Sequence, residues 1–135
     1  MKIFVCIDDG GGTLFGGKRQ SRDRLLIEDV RRTVGDGRLL VNAFSAPLFA
    51  KEGGVLLSDD PLTEAKGGDY CFIENLPLLP FAHKIDVLYI YKWNRVYPAT
   101  THLDLDPVKN GFHLAETTDF VGSSHEKITK ETYVK

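Results

Sequence analysis

No stretch of this 135-residue chain is long and apolar enough to cross a membrane: runs such as Ile3 to Ile7 and Val55 to Leu57 fall far short of the roughly 20 residues a spanning helix needs. Met1 leads directly into a strand-like run ending at Asp8 and Asp9, without the charged start, apolar stretch and small-residue cleavage site of a signal peptide. A cytoplasmic protein is expected. Cysteine is scarce, and Cys6 and Cys71 each lie inside an apolar run, where a thiol is read as a small buried hydrophobe. A large excess of charge of either sign is missing too. A formal net charge of −2 gives no global attraction to nucleic acid or to anionic membrane, so only a local basic patch could provide one. His83, His102, His113 and His125 are dispersed, and no spacing of histidine, cysteine or aspartate suits zinc, so no metal is expected.

The chain has average shares of apolar and charged residues, 42% and 27%, and no tract biased enough to imply disorder or a fibrous repeat. Its length suits one core, so residues 1–135 are read as a single α/β domain. Lys2 to Ile7 is rich in β-branched and aromatic residues and reads as a buried strand. Five glycines between Gly10 and Lys18, around Thr13, Leu14 and Phe15, predict a mobile loop with apolar anchors. Ser21 can then cap a helix whose stripe is Leu26, Ile27, Val30 and Val34, stopped by Gly35 and Gly37.

Strands are predicted at Arg38 to Phe44, Val55 to Ser58 and Asp69 to Ile73, with short helical turns at Ala46 to Phe49 and after Asp60. Alternation of strand and connector favours a mainly parallel sheet flanked by helices. Val87 to Tyr97 is a long run of β-formers, and Phe112 to Phe120 pairs naturally with Ile128 to Val134 as a C-terminal antiparallel hairpin. The sheet is therefore mixed.

Four stretches resemble one known family. The first strand with its glycine-rich loop, Gly54-Val-Leu-Leu-Ser-Asp-Asp-Pro61, Leu79-Pro80 followed by Asp86-Val-Leu-Tyr-Ile90, and Ala99-Thr100-Thr101-His102-Leu103 stand in the order found in dihydrofolate reductases. Phe112-His-Leu114 and Glu131-Thr-Tyr-Val134 resemble that family's last hairpin. The resemblance implies a dihydrofolate reductase-like fold over nearly the whole chain. It also implies three signature sites, and the chain departs from each. Leu26 or Ile27 stands where the family has its substrate-facing acid, with Asp23 and Glu28 only nearby. Ile73-Glu74-Asn75 replaces a Gly-Gly pair that lets the cofactor pyrophosphate approach backbone, and a carboxylate there repels a pyrophosphate. Asn42-Ala43-Phe44-Ser45 replaces a Gly-Arg-x-Thr/Ser that holds the nucleotide phosphate. No nicotinamide cofactor and no hydride transfer are expected.

A cleft of this fold would gather the glycine-rich loop, the helix start and the adjoining strand ends. Arg19, Gln20, Ser21, Asn42, Ser45 and Asn75 are its candidate ligand-binding residues, with Trp93 and Arg95 as a further recognition surface if strand alternation puts them on one face with Tyr97. Lys18 to Arg24 places positive charge and free backbone N–H groups at one helix start, which suits a phosphate or another anion. Ser21 and Asp23 would also serve simply to cap the helix. Gly12 to Arg19 nearly spells a phosphate-binding P-loop but ends on arginine, which offers no hydroxyl to magnesium. A Ser-His-Asp array cannot be assigned from spacing, because its members meet in space. Three functions stay open: a module binding a small anionic or nucleotide-like ligand, an enzyme using Asp23 or Glu74 as acid or base, and a protein- or RNA-interaction module.

Overall fold

The computed structural model describes residues 1–51 and 53–135. Its framework is a seven-stranded sheet in the order β5-β4-β6-β1-β7-β10-β9. The members are β1 (Lys2–Ile7), β4 (Leu39–Val41), β5 (Leu56–Leu57), β6 (Tyr70–Phe72), β7 (Val87–Lys92), β9 (His113–Phe120) and β10 (Ile128–Val134). The strands β5, β4, β6, β1 and β7 run parallel, while β10 pairs antiparallel with both β7 and β9. The sheet is mixed and mainly parallel, with a C-terminal antiparallel hairpin.

Period-two alternation divides each central strand between two cores. Ile3, Val5, Leu40, Cys71, Leu88 and Ile90 face one side, against Leu62 and Ala65 beside the short helix α2 (Pro61–Glu64) and against Leu78 and Ile85 flanking the 3₁₀ turn Leu79–Lys84. Phe4, Leu39, Val41, Phe72 and Tyr91 face the other side, under Leu26, Ile27 and Val30 of helix α1 (Arg24–Val34) and Phe49 of the turn Ala46–Phe49. Strands covered on both faces need continuous apolar runs, which is how β1 and β7 read.

Helix α1 begins two residues later than expected. Its cap is Asp23, whose carboxylate accepts from the backbone N–H of Leu25 at 3.0 Å and Leu26 at 3.3 Å. Ser21 cannot fill that role because its hydroxyl lies against a histidine from a distant loop. The strands predicted at Arg38 to Phe44, Val55 to Ser58, Asp69 to Ile73 and Val87 to Tyr97 shorten to β4, β5, β6 and β7.

The glycine-rich segment is ordered by pairing. β2 (Gly12–Phe15) and β3 (Lys18–Arg19) form a hairpin that joins β8 (Thr101–His102) in a small second sheet. Its two-residue turn sets Gly16 at φ 57° and Gly17 at φ 77°, the doubly positive turn that matches strand twist and that glycine adopts without strain. At the root, buried Asp8 accepts from the N–H of Gly10, Gly12 and Tyr97 at 3.0, 2.7 and 2.9 Å. Burial alone would raise the Asp8 carboxyl, but donation from those N–H groups and from Gln20 holds it below its ordinary value.

The two cores carry the stability. Leu88→Ala at a fully buried position is expected to cost about 2–5 kcal/mol in urea unfolding, whereas Leu57→Ala, 67% exposed, should change stability by less than about 0.5 kcal/mol.

Candidate functional site

The carboxyl ends of β1 and β6 lie side by side, and the chain leaves them in opposite directions across the sheet. That is a topological switch point, where parallel α/β sheets open a crevice. The hairpin β2–β3 and the start of α1 close over it. Arg19, at the end of β3, reaches Glu74, two residues beyond β6, through paired hydrogen bonds from Nε and an amino nitrogen to the two carboxylate oxygens, each 2.9 Å. The same amino group donates to the Phe44 carbonyl at 2.9 Å, and the guanidinium lies 4.8 Å from the Phe44 ring centre. Ser45 donates to Glu74 at 2.6 Å, while Asn42 donates its amide to Asn75 at 2.8 Å and accepts from the Ser45 N–H at 3.2 Å. Arg19, Asn42, Ser45, Glu74 and Asn75 do come together.

They satisfy one another rather than stand open. A bidentate guanidinium–carboxylate pair holds its geometry strongly and leaves Arg19 little capacity for another anion. Glu74 raises the Arg19 guanidinium further, outweighing its partial burial. Lys18 and Arg22, both exposed, make no ion pair among the described residues. They line an open hollow of about 430 Å³ together with Arg19, Ser21 and Phe44. Gln20 turns away and donates to the Pro98 carbonyl at 3.2 Å.

Asp23 does not point freely into the crevice. Besides the helix N–H groups, it accepts from Ser123 N–H at 2.9 Å, Ser123 Oγ at 3.1 Å, Ser124 N–H at 2.7 Å and His125 Nδ1 at 2.9 Å. Burial opposes the charge, but these donors hold the carboxyl far below the usual carboxylate range. Asp23 is thereby held as a fixed anion, which does not suit a group that must exchange protons, and both carboxylate oxygens of Glu74 are taken up by Arg19 and Ser45.

His125 is the member of this cluster that sequence reasoning did not place. It is buried, its ring is stacked on Trp93 at 4.6 Å between centroids, and its Nε2 meets Ser21 Oγ at 3.0 Å and the Tyr97 hydroxyl at 3.1 Å. In the neutral tautomer that donates Nδ1–H to Asp23, Nε2 is the acceptor for those hydroxyls. Trp93 is therefore a packing face for the imidazole. The expected alternation of Trp93, Arg95 and Tyr97 fails because β7 ends at Lys92 and Asn94 takes φ 58°, its amide bonding Lys127 O and Thr129 Oγ1. Trp93 is buried and Arg95 exposed, so they share no recognition surface.

Both thiols are poor nucleophiles at neutral pH. Burial pushes Cys71 up to about 12, and burial together with the Glu74 charge raises Cys6 well above its ordinary value. Among the described residues, no three histidine, cysteine or carboxylate side chains are grouped to hold a metal, and no helix is long and apolar enough to cross a membrane.

No family model matches this sequence, and no curated protein matches it. Among solved structures, the chain is similar to dihydrofolate reductase from Enterococcus faecalis complexed with NADP(H) and RAB-propyl, with a TM-score of 0.70. The likeness covers 98% of this chain and 94% of that one at 13% identity. This chain has a dihydrofolate reductase-like fold with a divergent sequence.

Two measurements test the Asp23 cluster. A carboxyl whose folded pKa is depressed contributes its full stability above the ordinary carboxylate range near about 4 and loses it as pH falls through and below that range. Unfolding free energy should therefore fall more steeply between about pH 5 and about pH 2 in the parent than in Asp23→Asn; equal slopes would refute the assignment. A Cβ on Gly122 would overlap the Asp23 carboxylate, so Gly122→Ala should lose about 1–3 kcal/mol in urea unfolding.

Proposed function

We propose that the protein binds a small anionic ligand in the hollow between β3, the approach to α1 and the turn after β4, without hydride transfer. The observation that carries this reading is the pair of cations Lys18 and Arg22, which make no ion pair among the described residues, beside half-buried Ser21 and Phe44. Its volume, about 430 Å³, is in the range of small-molecule sites. Arg19 serves as scaffold: locked to Glu74, it holds the hairpin over the strand ends and presents Phe44.

The fold likeness supports a cleft as the place for a ligand, and the solved relative holds NADP(H). The residues of this chain do not fit that cofactor. Where the resemblance puts a Gly-Gly pair, the Glu74 side chain is only 9% exposed and tied to Arg19. A dinucleotide would have to displace that pair or bring its pyrophosphate against a carboxylate. Where the resemblance puts a phosphate-holding arginine, the turn after β4 carries Asn42, Ala43 and Phe44. Where it puts a substrate-facing acid, Leu26 and Ile27 are buried in the core.

Thermal melts with sulfate, phosphate and nucleoside monophosphates test the reading. At least one anion should raise the midpoint, and Lys18→Ala combined with Arg22→Ala should remove that rise. Arg19→Ala should instead lower the unliganded stability by about 2–3 kcal/mol, because it strands a nearly buried Glu74. No shift with any anion, or a shift untouched by the double variant, would overturn it.

A further inference from the structure

We propose that Ser21, His125 and Asp23 form a nucleophilic array that cleaves small carboxylic esters at this hollow. The geometry has the three parts such chemistry needs. A hydroxyl lies 3.0 Å from one imidazole nitrogen, and a buried carboxylate lies 2.9 Å from the other. Trp93 stacks on the ring and limits its rotation. Ser21 is half-buried and borders the hollow shared by Lys18, Arg22 and Phe44. His125 and Asp23 lie behind it, 5% and 2% exposed, where water does not compete for their hydrogen bonds. Asp23 fixes the imidazole tautomer and acts as a positioning residue; Ser21 and His125 touch the reacting atoms.

Ser21 Oγ attacks the ester carbonyl while its proton passes to His125 Nε2. The new Oγ–C bond forms, and the electron pair of the carbonyl π bond moves onto oxygen. Collapse of that intermediate breaks the bond to the leaving oxygen, which takes the proton from His125 and departs as an alcohol. Water then attacks the acyl-serine, giving its proton to the same nitrogen, and Oγ leaves as the acid is released, recovering that proton. Water is the one co-reactant the sequence of steps consumes. Lys18 and Arg22 line the same hollow, and their positive charge favours an acyl group that carries a carboxylate of its own. That preference rests on the anion-binding reading, whereas the nucleophile does not.

A neutral fluorophosphonate probe and peptide mass spectrometry read the nucleophile alone. Ser21 should be labelled and Ser124, exposed on the loop that carries His125 but with no imidazole on its hydroxyl, should not. Ser21→Ala should remove the label, and His125→Gln should slow it by about a hundredfold. Asp23→Asn keeps a capping side chain but supports the wrong tautomer, so it should slow labelling while the helix and the melting transition persist. No label on Ser21 in folded protein, or equal labelling of Ser21 and Ser124, overturns the array. Hydrolysis of p-nitrophenyl acetate and of mono-p-nitrophenyl succinate then reads the charge. A higher kcat/KM for the succinate ester, lost in the Lys18→Ala and Arg22→Ala double variant, supports both readings. Labelled Ser21 with equal kcat/KM supports the nucleophile and overturns the anion preference.

Discussion

The carboxylate of Asp23 is the joint on which the crevice depends. It caps α1, accepts two N–H groups and a hydroxyl from Ser123 and Ser124, and orients His125. One side chain thereby ties the first helix to the loop between β9 and β10, about a hundred residues away. A buried charge is costly unless its lone pairs are met, and here donors meet them from several directions. The approach of that loop is close enough that Gly122 has no room for a Cβ. The second tie, Arg19 to Glu74, works in the same way on the opposite wall and fixes the hairpin β2–β3 against the end of β6.

Between these two ties the hollow is built by chain geometry. The sheet is covered on both faces by apolar packing to which the crevice contributes Trp93 and Tyr97 at its edge, while Arg19, Ser21, Asn42, Ser45 and Glu74 take no part in it. A fold held in this way tolerates replacement of residues at the strand ends. Glu74 illustrates the point: a carboxylate unwelcome beside a pyrophosphate is stable here because Arg19 and Ser45 answer it. Fold likeness at 13% identity consequently carries no activity with it.

What could be read from the sequence follows the range of the interactions. β1, the stripe of α1 and the final hairpin were legible because each announces itself by local period. The helix start was ambiguous since Ser21 and Asp23 are both good caps, and the choice is made by a histidine more than a hundred residues away. Five glycines suggested mobility, yet Gly16 and Gly17 flanked by Leu14, Phe15 and Lys18 are also the pattern of a two-residue hairpin turn. Arg19, Ser45 and Glu74 were placed together by fold resemblance, but their mutual neutralisation was not visible, because pairing depends on side-chain distance and not on position in the chain. Trp93 and Arg95 were misread for a local reason: a left-handed Asn94 breaks the alternation, and asparagine at one position of a β-rich run gives no clear warning.

His125 carries the last step of the argument. In the run Gly122-Ser-Ser-His-Glu126 it has neither a metal-ligand spacing nor an apolar period, and it looks like loop. The turn that returns Gly122 N–H to His125 O at 3.0 Å directs two backbone N–H groups and the imidazole at a single carboxylate. Once Asp23 takes Nδ1–H, the remaining nitrogen must find a donor or stay unmet in a buried place. Ser21 and Tyr97 are the hydroxyls within reach. Tyr97 alone would satisfy the imidazole, so stability does not require Ser21 there. The serine is the member that adds access to the hollow, and that surplus separates a structural clamp from a site.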